Sequence, residues 1–344
     1  MTPGFATSEG TGRFVSRFAA ARDRGFYRPI YGLEVSTLGL GTYLGNPDEA
    51  TDRSYHHAVG AAVRGGINLL DTAINYRHQH SERSIGSALD ELFRDGDVHR
   101  DEVIVATKAG FLTPGAVPDF LKADDIVGNM HSMHPDFLAD QIDRSLANLG
   151  LDTLDIFYLH NPETQLGFVD RPEFERRIGL AFAKLEQLVA GGKIRCYGAA
   201  TWSGFRRMAG SSDALDVARL VEIAAQTGGA RNHFGFIQLP VNLAMPEAFT
   251  NGVLDLASQL GINVVASASL LQARLARGLP EALAETFPGL ATDAQRAIQF
   301  TRSTPGVSVA LVGMSQRAHV AENLRVAAVP PLAPQDYRDL YQRA

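Results

Sequence analysis

The chain has 344 residues, 45% of them hydrophobic and 20% charged, and a formal net charge of −6 at pH 7. That length and apolar content allow a large core, built either as two domains or as one α/β barrel. Acids and bases are mixed along the chain rather than grouped in blocks, which leaves no electrostatic footprint for nucleic acid or a membrane surface and points to a small-molecule partner.

Residues 1–28 are small, polar and basic-aromatic without a clear period, and read as an N-terminal extension wrapped on the outside of the body formed by residues 29–344. The extension lacks the apolar core of a signal peptide, and no later apolar run is long enough to span a bilayer, so a cytoplasmic protein is expected. FYRPIYGLEVS has the pattern of a short hairpin turning near Gly32.

From there one pattern repeats: a short apolar or β-branched run, a loop, an amphipathic helix. The strand-like runs are TLGLGTYL (37–44), INLLDTA (67–73), EVIVATKA (102–109), LDIFYLH (154–160), IRCYGAA (194–200), GFIQLPV (235–241), INVVASAS (262–269) and SVALVGM (308–314). Helix candidates fall between and after them near 51–65, 82–94, 136–149, 174–190, 213–227, 251–260, 293–303 and 317–327, with Gly65, Gly150, Gly191 and Gly261 as stops. Eight alternating units whose strands are too apolar for a one-sided sheet predict a closed (β/α)8 TIM barrel, an open parallel sheet being the alternative. Long loops at 111–134 and 271–291 leave from the C-terminal mouth of such a barrel, as lids or as simple insertions. The single cysteine, Cys196, lies inside an apolar strand and reads as a buried, inert thiol.

Four polar residues sit at or just past the ends of successive strands: Asp71 and Tyr76 in LLDTAINYR, Lys108 and His160. Each alone has an ordinary alternative, as a cap, a core phenol, a surface amine or a satisfied histidine. Together they form a proton-transfer set. An ammonium near a phenol favours the phenolate, a carboxylate holds the ammonium in place, and an imidazole can donate to an oxygen gaining charge. Such a set suits protonation of a carbonyl oxygen or the reverse step on an alcohol.

The stretches LGLGTYLG, GGINLLDTAINY, SERSIGSAL, RDEVIVATKAG, SLANLGLDTLDIFYLHNPE, GKIRCYGAAT, IQLPVN and VAENL, in this order and spacing, resemble the aldo-keto reductase superfamily from about Thr37 to Ala327. The resemblance implies a (β/α)8 barrel that binds NADP(H) or NAD(H) and moves a hydride between nicotinamide and a carbonyl. It makes Tyr76 the general acid, Lys108 and Asp71 its tuning pair, and His160 the carbonyl-orienting donor. It places Thr201, Gln238, Leu270, Gly313, Glu322 and Asn323 at the cofactor.

The cofactor positions depart from the family pattern more than the catalytic ones. Ala200 and Thr201 stand where a serine and an asparagine usually hold the carboxamide, and Ser267 stands where a tyrosine usually stacks on the nicotinamide. Gly313 and His319 replace the usual lysine and arginine at the 2′-phosphate, leaving Arg274 and Arg317 as substitutes or as ordinary surface charge. After Tyr76, where the family often has glycines, come Arg77, His78, Gln79 and His80, which suggest a basic mouth for an acidic substrate, or a solvated loop. Trp202 is a candidate pocket wall, with core packing as the alternative. His131 and His134 with His160 invite a metal reading that no tight ligand motif supports. Two other functions fit the same residues: a cofactor-independent lyase, dehydratase or isomerase reusing the tetrad, and a non-catalytic regulatory or binding subunit.

Overall fold

The computed structural model describes residues 1–208 and 210–342. Eight parallel strands close into one barrel: β3 (Leu38–Gly41), β4 (Leu69–Asp71), β5 (Ile104–Ala109), β6 (Leu154–His160), β7 (Ile194–Ala200), β8 (Phe234–Pro240), β9 (Asn263–Ser267) and β10 (Val307–Gly313). They pair in sequence order, and β10 returns to β3 with Ala310 opposite Leu38 and Gly313 opposite Gly41. The expected (β/α)8 barrel is therefore the fold, and all eight apolar runs supply a strand.

The first two strands are shorter than their runs. β3 stops at Gly41, so Thr42, Tyr43 and Leu44 belong to the loop after it rather than to the sheet. Helix boundaries follow local chemistry. Asp48 accepts from the Thr51 N–H at 2.8 Å to start helix Glu49–Arg64, and Gly150, at φ +70°, ends helix Pro135–Leu149 in the left-handed conformation that a side chain resists.

The hairpin is β1 (Tyr27–Ile30) and β2 (Leu33–Ser36), antiparallel, turning through Tyr31 and Gly32 at φ +51° and +76°. Ile30 and Val35 join the inward-facing Leu69, Ile104, Ile156 and Val309 in one apolar cluster, so the hairpin stoppers the N-terminal end of the barrel. The segment before it contains a helix, Ser8–Ser16, which the sequence pattern does not announce. Thr7 caps it by accepting from the Gly10 N–H at 2.9 Å, and it buries Phe14 and Val15. Cys196 sits under the hairpin, buried, its thiol donating to the Asp155 carbonyl at 3.2 Å, and burial pushes its pKa well up.

Arg302, on helix Asp293–Ser303, is fully buried and faces oxygen acceptors rather than a carboxylate. It donates to Thr37 Oγ1 at 3.1 Å, Gln299 Oε1 at 2.8 Å, and the carbonyls of Val326, Val329 and Gly25 at 2.9, 3.0 and 3.3 Å. Burial lowers its pKa to about 9, which leaves it charged at neutral pH. One side chain thus ties the helix before β10 to the C-terminal segment and to Gly25 and Thr37 on either side of the hairpin. Arg302→Met strands these acceptors and costs about 3 kcal/mol of stability, measured as a lowered denaturant midpoint at unchanged slope.

Candidate active site

β4, β5 and β6 deliver Asp71, Lys108 and His160 to the same end of the barrel, because parallel strands in register bring their C-terminal ends together. Lys108 Nζ donates to Asp71 Oδ1 and to the Thr72 carbonyl, both at 2.6 Å, and Gln238 Nε2 donates to Asp71 Oδ2 at 2.8 Å. All three polar side chains are buried. Gln238, expected at a cofactor, thus spends its amide N–H on the other oxygen of Asp71 and helps hold the ion pair.

Tyr76 reaches this pair through a turn after β4, its N–H donating to the Ala73 carbonyl at 3.0 Å. Lys108 Nζ lies 4.9 Å from the centroid of its ring. The His160 ring stands across from it, centroids 5.7 Å apart at 77°, and Tyr43 packs on its other side at 5.0 Å. The four residues singled out in the sequence therefore form one cluster at one end of the barrel.

Burial dominates the electrostatics. It raises the Tyr76 phenol above its usual range, with the Lys108 charge pulling the other way, so the proton stays on the oxygen at neutral pH. That reverses the balance expected from the sequence, where the ammonium alone was weighed. Burial opposes the Lys108 charge, yet attraction to Asp71 and Tyr76 outweighs it and raises that pKa. His160 is held neutral, first by burial and then by Lys108 and His131.

His131 has both ring nitrogens within hydrogen-bond reach of protein groups. Its Nε2 lies 2.7 Å from the His160 carbonyl oxygen and its Nδ1 2.9 Å from Gln165 Nε2, so Nε2 carries the proton and donates while Nδ1 accepts. Burial lowers its pKa to about 4, consistent with that neutral tautomer. Gly110 makes room for the contact, since a Cβ there would fall 2.6 Å from His131 Nε2 and 2.5 Å from the His160 oxygen. His134 is at a helix N-cap, where its Nδ1 accepts from the Asp136 N–H at 3.3 Å.

A cavity of about 690 Å³ opens over this cluster. Thr201, Leu270, Gly313, Glu322 and Asn323 line it, as does Gln238, and Trp202 forms part of its wall with 44% of its surface exposed. Four polar atoms of lining residues, His160 Nδ1, Thr201 Oγ1, Ser269 Oγ and Asn75 Oδ1, are buried with no hydrogen-bond partner among the described residues. Phe111 opens the 111–134 loop inside the cavity, and Gln272, Ala273 and Ala276 bring in the 271–291 loop.

Two groups of expected residues lie elsewhere. Arg77, His78 and Gln79 all have positive φ, +51°, +53° and +73°, and this left-handed turn swings the segment away from the cavity and back over helix Glu49–Arg64. Arg77 is buried there, paired with Asp52, donating from Nε to the Asn46 carbonyl at 3.1 Å and lying over the Tyr55 ring. His80 Nδ1 meets the same carboxylate at 2.7 Å, and His78 is exposed. Of the basic loop expected to face substrate, Arg77 and His80 are therefore spent on Asp52. Arg274 and Arg317 are also absent from the cavity wall. Residues 271–273, again at positive φ, form an exposed turn in which Gln272 and Ala273 border the cavity and the equally exposed Arg274 does not, while Arg317 lies on the surface, its Nη2 3.3 Å from His57 Nδ1.

Sequence reasoning passed over Tyr43, Leu44 and Phe111 as cavity walls; TLGLGTYL reads as strand to its end, and only Gly41 at the strand terminus could have hinted otherwise. It also passed over Glu163. The Oε1 atom of this buried carboxylate accepts from the N–H groups of Trp202, Ser203 and Gly204 at 2.9, 3.1 and 3.3 Å, fixing the backbone that carries the Trp202 wall. Burial raises its pKa, with those N–H groups opposing the shift.

The sequence model described as the Aldo/keto reductase family matches residues 37–342. Among curated proteins, the chain is 30% identical over 204 residues to aldo-keto reductase family 4 member C11 of Arabidopsis thaliana, covering 58% of this chain and 55% of that one. It is 32% identical over 173 residues to an NADH-specific methylglyoxal reductase of Escherichia coli, covering 49% of each. The match thus spans about half the length of these two relatives. A longer match, 26% identical over 309 residues and covering 87% of this chain and 88% of the other, is to a 6-dehydroglucose reductase of Novosphingobium aromaticivorans. Among solved structures, an aldo-keto reductase of Klebsiella pneumoniae in complex with NADPH superposes with a TM-score of 0.66 at 22% identity, over 92% of this chain and 95% of that one.

Proposed function

Because this chain belongs to the aldo/keto reductase family, we propose that it moves a hydride between a nicotinamide dinucleotide and the carbonyl of a small molecule, with Tyr76 as the general acid. The observation that carries this reading is the placement of a protonated, buried-side phenol and a neutral imidazole on one cavity wall, directly in front of a buried Lys108–Asp71 pair. Such a pair of donors converges on an oxygen that gains negative charge. The dinucleotide, when bound, supplies the hydride. Names of relatives, an NADH-specific methylglyoxal reductase and a 6-dehydroglucose reductase, agree with that class of reaction.

The residues present fit such a cofactor. Thr201 and Ser269 offer unpartnered hydroxyls on the cavity wall, which a carboxamide or ribose can satisfy, and Leu270, Gly313, Glu322 and Asn323 continue the same wall. Ser267 supplies no aromatic platform at its own position, so the hydroxyls of Thr201 and Ser269 would be the groups that hold the nicotinamide there. Tyr76 gives its phenolic proton to the carbonyl oxygen as charge builds there. Lys108 then faces the phenolate and stabilises it, and Asp71, braced by Gln238, keeps Lys108 charged and in place. His160, neutral, donates one N–H to the same oxygen and orients the carbonyl. The walls around this point are Tyr43, Leu44, Phe111 and Trp202. No Lys or Arg among the described residues lines the cavity, so the substrate in this reading is a neutral carbonyl rather than the acidic one suggested by the YRHQH loop. A cytoplasmic location accompanies the reading, as the compartment in which reduced dinucleotides are drawn on.

The test is to mix the purified protein with NADH or NADPH and a panel of small aldehydes and ketones and to follow loss of reduced-nicotinamide absorbance. The expected result is carbonyl-dependent, stoichiometric oxidation of the nucleotide. If neither nucleotide binds at high micromolar concentration, or a carbonyl substrate is converted without one, the hydride-transfer reading falls.

A further inference from the structure

Resting on that reading, we infer that Arg77 is a positioning residue for the proton transfer. Paired with Asp52, it fixes both the turn that carries Tyr76 and the loop whose Tyr43 packs on the Tyr76 ring. The side chain next to the proposed acid thereby acts through the protein and not on the substrate, and it is absent from the cavity lining.

Tyr76 has no strand to hold it. β4 ends at Asp71, and the chain leaves Tyr76 through Arg77, His78 and Gln79, all at positive φ, before helix His80–Arg94 begins. Side chains resist this conformation, and a run of it persists only where the surroundings over-determine it, as they often do beside a functional group. Here Arg77 supplies the constraint. Its buried guanidinium donates from Nε to the Asn46 carbonyl, pairs through Nη2 with Asp52, and lies over the Tyr55 ring with its central carbon 5.0 Å from the centroid. Asp52 is held in turn, with Oδ2 2.7 Å from His80 Nδ1 and Oδ1 3.1 Å from Ser84 Oγ. One carboxylate therefore grips the turn at Arg77 and the start of the helix that follows it.

The same group of side chains holds the facing loop. Thr42, Tyr43 and Leu44 line the cavity beyond the end of β3 and have no sheet to fix them. Ser81 Oγ donates to the Thr42 carbonyl and Tyr55 Oη to the Leu44 carbonyl, each at 2.7 Å, and Arg77 Nε donates to the Asn46 carbonyl at 3.1 Å. Every second carbonyl of this loop is thus taken by a side chain, and Arg77 lies over one of the other two donors. Between these ties stands Tyr43, whose ring packs on Tyr76 with centroids 5.0 Å apart at 68°. His160 bounds Tyr76 on another side. Proton transfer needs the phenolic oxygen within hydrogen-bond reach of the carbonyl, and a misplacement of about 1 Å costs about 10²-fold in rate. Releasing Arg77 frees the turn behind the phenol and the ring beside it together.

The experiment compares the unmodified protein with Arg77→Gly, Arg77→Lys, Asp52→Asn and the double variant Arg77→Gly with Asp52→Asn. It reads single-turnover oxidation of bound nucleotide at saturating carbonyl, nucleotide affinity by a separate titration, and the thermal midpoint. Glycine accepts positive φ freely, so Arg77→Gly keeps the turn's backbone and removes only its grip. It is expected to slow the single turnover about 10- to 100-fold and to leave nucleotide affinity within about twofold. Arg77→Lys, which keeps the charge but not the planar fork, recovers part of that loss. The double variant is expected to stay within about twofold of Arg77→Gly, because the two residues act as one unit. A folded Arg77→Gly that turns over within about threefold of the unmodified protein overturns the inference and leaves the proposed function standing. So does an unchanged single-turnover rate with weakened binding, and losses that simply add in the double variant overturn the pairing. If Arg77→Gly does not fold, unchanged rates in both Asp52→Asn and Arg77→Lys overturn the inference in its place. An unmodified protein that oxidises neither nucleotide with any carbonyl is instead the failure of the proposed function, and this inference falls with it.

Discussion

Tyr76→Phe lowers kcat for carbonyl reduction by about 10³-fold and leaves dinucleotide affinity within about twofold. The ring keeps its packing against Tyr43 and His160, so the loss isolates the phenolic proton. Single-turnover oxidation of bound nucleotide, with a separate binding titration, separates the two quantities. Burial raises the phenol's pKa while Lys108 only partly offsets it, and burial likewise keeps His160 neutral. Reduction by the unmodified protein is therefore expected to be level with pH from about 6 to about 8, with no limb at the ordinary histidine value, and to fall only in the alkaline range. Retained turnover in Tyr76→Phe assigns the proton donor to another group.

Lys108→Met has a comparable effect on turnover and adds a structural one. It removes the countercharge 2.6 Å from Asp71 and leaves a buried carboxylate with Gln238 as its remaining hydrogen-bond donor. Stranding one partner of a buried pair costs about 3–5 kcal/mol. The pH dependence of that deficit has a definite sign. Burial already raises the Asp71 pKa even with Lys108 opposing, and without Lys108 the rise is larger. A carboxyl whose folded pKa is raised favours the folded state below its unfolded value, about 4, and loses that contribution as pH rises through the folded value. The thermal midpoint of Lys108→Met is thus expected to lie nearest that of the unmodified protein at mildly acidic pH and to fall behind it towards pH 8. Adding Asp71→Asn removes the stranded charge and restores most of the stability at neutral pH without restoring turnover. A double variant as unstable as the single one would show that the pair contributes through packing rather than charge.

The barrel was legible because each strand carries its own signal: runs such as EVIVATK and LDIFYLH are apolar throughout, as buried parallel strands must be. The candidate catalytic cluster was legible for a related reason. Asp71, Lys108 and His160 occupy strand ends, and parallel strand ends meet at one mouth whatever the loops do. Residues on loops were not legible, because their direction depends on backbone angles that the side chains do not announce. Three successive left-handed residues at 77–79 are costly without glycine, roughly 1–2 kcal/mol each, and no propensity rule would place Arg77 there. The cost is offset by a buried guanidinium on Asp52 and Tyr55, partners 25 and 22 positions upstream in sequence that only the fold brings close. The two readings of Arg274, cofactor substitute or surface charge, stayed open for the same reason, since the left-handed turn at 271–273 sets where it stands. The pKa of Tyr76 was misjudged because the sequence shows which charge is near but not how much water is excluded.

The hairpin at the foot of the barrel bears on kinetics as well as on packing. With Ile30 and Val35 packed against Leu69, Ile104, Ile156 and Val309, the barrel is closed at its N-terminal end, and the cavity lies at the other. Two ligands that share such a cavity cannot come and go independently. Whichever lies deeper across the floor has to load first and depart last, and the second traps it while bound. For the proposed hydride transfer this predicts a queue with a fixed order, checked by product-inhibition patterns that distinguish ordered from random binding.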